Sequence, residues 1–357
     1  MTVAERVARA WRVKDDEWIA LVVAMAAFVV SGVVAAIVFG GREHPIDGRG
    51  SVGDVAAISG AVAAAVAFAA SRLRPRDTAA DATAGVIRFH WFDVAALAVA
   101  HGSIALLGWI GVATVLDKSF VDATVYATPG VLLVAAATAL SAYAAFLSGS
   151  AMSPSRLSLV LAVFLVVGVL TAMLTSTDPH WWQMNLSALG ITDDVSALVF
   201  NATLIVSGVI VTTIARFGTA GLPSGTAAER RRLVIVRVLF VLLGVLLGLV
   251  GVFPVDRFFL LHNTVATGMA VMFAALVFGL PWLIPGMSRV FTVLGFVFVA
   301  AIAGAAILFA TGVYNLTAVE LVAALLIFAW IILFLRNVQP SGAGERVAGA
   351  APVEVAV

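Results

Sequence analysis

Ten apolar runs, each near the ~20 residues that a helix needs to cross the hydrocarbon core of a bilayer, set the terms for the whole chain. They fall at about 18–39, 52–70, 92–116, 124–147, 157–175, 195–215, 233–252, 259–280, 290–311 and 316–334. The second is the weakest, because Asp54, Ser59 and Gly60 dilute it. Hydrophobic residues make up 62% of the chain and charged residues 11%, against roughly 45–50% and about 25% in soluble domains. A soluble fold of 357 residues has nowhere to hide that much apolar surface. Lipid must be part of the solvent, and the expected fold class is all-α: a polytopic integral membrane helical bundle of about ten transmembrane helices. The first run exceeds the ~7–15 apolar residues of a signal-peptide core, and nine more follow it, so it reads as a span.

Lys and Arg orient the bundle, because cytoplasmic loops and span ends carry an excess of them. With successive runs alternating in direction, 17 of the 21 fall on the side of the N-terminus, among them Arg6, Arg9, Arg12, Lys14, Arg76, Arg88, Arg230, Arg231, Arg232 and Arg346. Only Arg42, Arg49, Lys118 and Arg257 fall on the other. Both termini are therefore expected in the cytoplasm. The weight of Ala, Val and Gly suggests a bacterial chain, which makes the expected location the bacterial plasma (inner) membrane. The organisation divides into a basic cytoplasmic segment (1–17), a four-span bundle (18–156), a six-span unit (157–337) and a flexible cytoplasmic tail (338–357). Spans one and five, and three and seven, begin about 140 residues apart. Duplication explains that offset, and so does the shared composition of membrane helices.

Composition also removes several functions. A net charge of +1 gives no reason to expect nucleic acid, and with no Cys there is neither a disulfide framework nor a thiolate metal site. No pair of His shows metal-ligand spacing, no Gly-x-Ser-x-Gly elbow surrounds Ser187, and no phosphate loop is present. No cofactor and no metal are expected.

Chemistry is then sought in two polar-aromatic segments, 178–190 and 251–263, each leading into an apolar run and both on the outer face by the charge count. Asn201 lies ~10 Å below that face along a helix, where its amide needs partners from other helices. His262 and Asn263 stand at the outer mouth of the eighth span, just after Asp256 and Arg257. An imidazole there serves as general base, as donor to a lipid phosphate, or simply as a loop anchor. Glu320, one turn into the last span, is costly unless paired, and Arg257 or His262 is the expected partner. Asp178 and His180 sit beside Trp181 and Trp182, an interfacial aromatic pair or a lid. His101, within the third span, reads as a helix-packing residue. The candidate outer-face polar pocket is thus Asp178, His180, Asn201, Asp256, Arg257, His262, Asn263 and Glu320.

The segments Ser187-Ala-Leu-Gly190, Phe200-Asn201 and Gly251-Val-Phe-Pro-Val-Asp256, followed by His262, resemble the bacterial membrane family known as domain of unknown function 998. The resemblance implies a six-span unit over roughly the second half of the chain, and a distant similarity in layout to the damage-regulated autophagy modulators, some of which are linked to lipid handling. It implies no activity and does not reach the first four spans. Three functions stay open: binding or handling a lipid or other amphiphile at the outer leaflet, a scaffold or partner subunit without catalysis, and a small-solute transporter. Membrane lipids are the expected partners, with a protein partner or a second copy of the chain beside them.

Overall fold

The computed structural model describes residues 3–74, 90–191, 194–219, 222 and 224–338. Among these residues ten α-helices form: α1 (Val3–Phe39), α2 (Val52–Leu73), α3 (Trp91–Ser119), α4 (Ala127–Ser150), α5 (Pro154–Thr175), α6 (Val195–Phe217), α7 (Ala227–Val252), α8 (Phe259–Leu283), α9 (Arg289–Ala310) and α10 (Leu316–Asn337). All ten are long and apolar enough to cross a membrane. Of the tail expected over 338–357 only Val338 is described, and residues 339–357, with Arg76 and Arg88, lie outside the described residues.

Helix starts follow side-chain chemistry. Ser51, Asp194, Ser288 and Asn315 each accept a backbone N–H three residues on, satisfying a donor the first turn leaves unpaired. Thr226 and Glu229 form a reciprocal capping box, so α7 begins at Ala227, six residues before its apolar run. α4 begins three residues later than its run, because Thr124–Val125 (β2) pairs antiparallel with His44–Pro45 (β1) and ties the two loops together.

The first four helices pack as a chain of pairs: α1 on α4, α4 on α2, α2 on α3. The last six close a ring, each on the next, with α10 returning to α5. α4 thus lies chiefly on α1 and α2, whereas α8, four helices later, lies chiefly on α7. α3 joins the two sets by packing on α5 and α6. Thr171 donates to Leu107 O at 3.0 Å, and the buried carboxylate of Asp93 meets Arg216 at 3.3 Å. Within the ring, Trp330 sits almost fully buried among Phe240, Phe273, Phe291 and Phe334, ring centres 5.3–6.3 Å away.

Glycine decides the tightest crossing. A Cβ on Gly208 of α6 would lie 2.4 Å from Gly244 O and 2.8 Å from Gly248 N of α7, and one on Gly251 would lie 2.6 Å from Asn201 O. Only residues without a side chain let the two backbones meet this closely, and lipid offers no hydrophobic drive to replace such contact. α6 is the most enclosed helix of the bundle, while α1 and α9 lie at its edge.

Candidate functional site

The site is built on the connection between α5 and α6. Its first half lies at the surface: Asp178 accepts the His180 N–H at 2.8 Å in a local turn, His180 is exposed, and Trp182 is half exposed. Its second half turns inward as a short 3-10 turn, Leu186–Gly190, of which all five residues are buried. The sequence Leu-Ser-Ala-Leu-Gly carries little polarity beyond its backbone. A backbone that enters a bundle away from water must still find partners for its N–H and C=O groups.

Two helices supply them, and a third holds a side chain of the segment. From α10, the Glu320 carboxylate accepts the Leu186 N–H at 2.5 Å and also bonds the Ser187 N–H. From α8, His262 brings Nε2 to 3.1 Å from Ser187 Oγ while Nδ1 sits 2.7 Å from Phe253 O. A carbonyl only accepts, so Nδ1 donates to Phe253 O, which leaves Nε2 to the serine hydroxyl. From α6, Asn201 Nδ2 donates to Gly190 O at 3.2 Å. A Cβ on Gly190 would come within 2.6 Å of Asn201 Oδ1, so a larger residue there would push the amide aside. Ser196 reaches the same segment, 3.3 Å from Leu189 O.

The eight candidates therefore separate. Asn201, His262 and Glu320 converge on the 186–190 segment and not on one another: Asn201 and Glu320 on its backbone, His262 on the Ser187 hydroxyl. The expected partner of Glu320 is corrected: it takes two backbone N–H groups, while Arg257 faces its neighbour Asp256 at 3.7 Å. Asn263 is exposed and donates to Phe259 O of its own helix, so it points away from His262. Asp178 and His180 keep to their own turn. Among the described residues no three His, Cys, Asp or Glu gather closely enough to hold a metal.

Two cavities open at this end. One, of about 400 Å³, lies against α6 and the 253–258 turn, with Asn201, Arg257, Asp194 and Pro254 around its polar part and Leu198 and Ile205 along its apolar part. The other, of about 480 Å³, lies between the four-helix set and α6, lined by Asp47, Asp54, Asp117 and Asp194 with Arg49 and Lys118. Sequence reasoning missed this second cavity, since its charged residues sit singly at the edges of separate spans. It also missed the pairing of Ser187 with His262, which are 75 positions apart. That pair has the distance of a nucleophile and its base, yet Ser187 is buried and lines neither cavity. What the pair does here is hold the loop.

Ten apolar helices, with a loop folded back and bonded into the bundle at one end, define a multi-pass helical membrane protein. The chain belongs to the family described as "Protein of unknown function (DUF998)", whose profile matches residues 159–337. That stretch runs from within α5 to the last residue of α10 and contains all eight candidate residues; α1 to α4 precede it. No curated protein and no solved structure matches the chain.

Proposed function

We propose that the protein lies in a bacterial plasma membrane with both termini cytoplasmic and the 176–194 loop outside, and that it takes an amphiphile from the outer leaflet into the notch beside α6. The observation that carries this reading is the shape and lining of the 400 Å³ cavity. Its polar groups, Asn201, Arg257 and Asp194, sit around the start of α6. Its apolar flank is Leu198, 72% exposed, and Ile205, 37% exposed. At this depth exposure means contact with hydrocarbon, so the notch opens sideways into lipid. Leu198, Ala202 and Ile205 follow at i, i+4 and i+7, a stripe that descends ~10 Å along one helix face.

A transporter would need polar groups continuing to the other side. Along α6 the deeper hydroxyls of Thr203, Thr212 and Thr213 are spent on carbonyls of their own helix, and the one deeper hydroxyl without a partner among the described residues, that of Ser207, is fully enclosed, which favours binding over passage. The test is intact-complex mass spectrometry of protein purified in mild detergent, comparing the native chain with Ala202→Leu, which fills the notch. A lipid retained near one per chain and lost in the variant is the expected result. A native chain that retains no more lipid than the variant would sink the reading.

A further inference from the structure

The lining of the same notch limits the head of the molecule it takes. Resting on the amphiphile reading above, we infer that the occupant is an uncharged lipid with a free hydroxyl, the class of mono- and diacylglycerols, and that this hydroxyl bonds the amide of Asn201.

The charges of the notch are already answered within the protein. Asp194 and Arg257 are the two charged residues of the lining, and they sum to zero. Asp194 turns one oxygen to the Ala197 N–H at 3.0 Å and the other to the N–H and hydroxyl of Thr177 at 3.3 and 2.7 Å. Arg257 faces the Asp256 carboxylate at 3.7 Å. An anionic head would lie beside the Asp194 carboxylate and compete with Asp256 for Arg257, whereas a cationic head would lie beside Arg257 itself. Like charges brought together in this way are costly. A zwitterionic head would have to displace partners on both sides, and an uncharged head meets none of these costs.

What the lining leaves to a ligand is neutral as well. Asn201 stands ~10 Å along α6 from Asp194, a depth at which a charge is expensive and a hydroxyl is not. Its Nδ2 donates one N–H to Gly190 O at 3.2 Å. The second N–H and Oδ1 have no partner among the described residues, and the side chain lines the cavity. The backbone around it has less to give: the Ile191 N–H is taken by Ala188 O, and Pro254 has no N–H. One donor beside one acceptor matches a hydroxyl, which donates and accepts at once. A small alcohol would satisfy the amide but leave the Leu198–Ala202–Ile205 stripe uncovered, whereas an acyl chain running down from the head covers it.

The experiment measures binding to the full chain in detergent micelles, at equal mole fraction, of four probes with the same short tails: the diacylglycerol, its deoxy analogue with hydrogen in place of the hydroxyl, the phosphatidic acid and the phosphatidylethanolamine. The diacylglycerol is expected to saturate, to exceed both phosphate-bearing lipids, and to exceed the deoxy analogue by about fivefold, the scale of a net hydrogen bond. In Asn201→Ala the alcohol and its deoxy analogue should bind alike. Because Asn201 also holds Gly190, the readout is the ratio of two probes and not the affinity of one, and on the native chain that ratio needs no variant. Equal binding of alcohol and deoxy analogue by the native chain overturns the hydroxyl assignment and leaves the amphiphile reading standing. Tighter binding of either phosphate-bearing lipid overturns the uncharged head, again leaving the amphiphile. A preference for the alcohol that persists in Asn201→Ala overturns the role of the amide. Saturable binding of none of the four overturns both readings.

Discussion

The α6–α7 crossing gives the most exacting test of the architecture, and Gly208→Ala is the smallest perturbation that reaches it. The added Cβ would stand 2.4 Å from Gly244 O, 2.8 Å from Gly248 N and 3.0 Å from Gly248 Cα, all backbone atoms that no side-chain rotation can move aside. Ordinary contact begins at 3.4 Å, so the helices must part by about 1 Å at this point, and overpacking of this kind costs about 1–3 kcal/mol. Alanine returns up to about 1 kcal/mol of helix propensity, which Gly304→Ala isolates, because a Cβ on Gly304 meets nothing within 4 Å. Reversible unfolding in mixed micelles should therefore rank Gly208→Ala below Gly304→Ala by about 1–3 kcal/mol. Equal stability of the two variants would mean that α6 and α7 do not meet backbone to backbone.

Glu320→Ala leaves the Leu186 and Ser187 N–H groups buried without their acceptor, a loss of about 1–3 kcal/mol for an orphaned group. With no native Cys, a cysteine placed at buried Ala188 should react faster with a thiol reagent in Glu320→Ala, and much less so in Glu320→Gln, which keeps an acceptor; unchanged labelling in both would show that Glu320 does not hold the turn. Trp330→Ala removes the ring shared by Phe240, Phe273, Phe291 and Phe334 and should cost about 3–5 kcal/mol of unfolding free energy in the same micelle titration. A loss below about 1 kcal/mol would refute the packing of the ring around it.

What the sequence made legible is what hydrocarbon enforces locally. Run length alone marks ten spans, because a helix exposed to lipid has to be apolar over its whole width. His101 could be read as a packing residue for the same reason, and it bonds Ser148 at 2.8 Å and stacks on Phe68. Span edges were less legible where a capping box extends α7 or a two-residue pairing delays α4, since neither changes the hydropathy of the run. Partner choice was not legible at all. Glu320 and Leu186 are 134 positions apart, and their bond depends on a loop turning into the bundle. Nothing in the spacing of apolar residues announces that a run as short as Leu186–Gly190 will be buried. The sequence therefore offers Arg257 or His262 as the partner, and the structure uses backbone instead.

That substitution of backbone for side chain bears on how the polar residues divide their work. Glu320 bonds the backbone of the 186–190 segment, His262 bridges Ser187 to the Phe253 carbonyl, and neither lines either of the two cavities. Asn201 does both: it holds Gly190, and it lines the notch together with Gly190 and Ile191. The segment is thus one wall of the notch, and its position is set by three side chains from α6, α8 and α10. On the proposed function, His262 and Glu320 act through that wall as positioning residues, and the groups that meet the bound molecule are Arg257, Asn201 and the Leu198–Ile205 stripe. A polar cluster buried under its own loop would be wasted on a substrate it cannot touch. As the frame of a lipid-facing notch, the same cluster fixes a backbone that hydrocarbon would otherwise exclude.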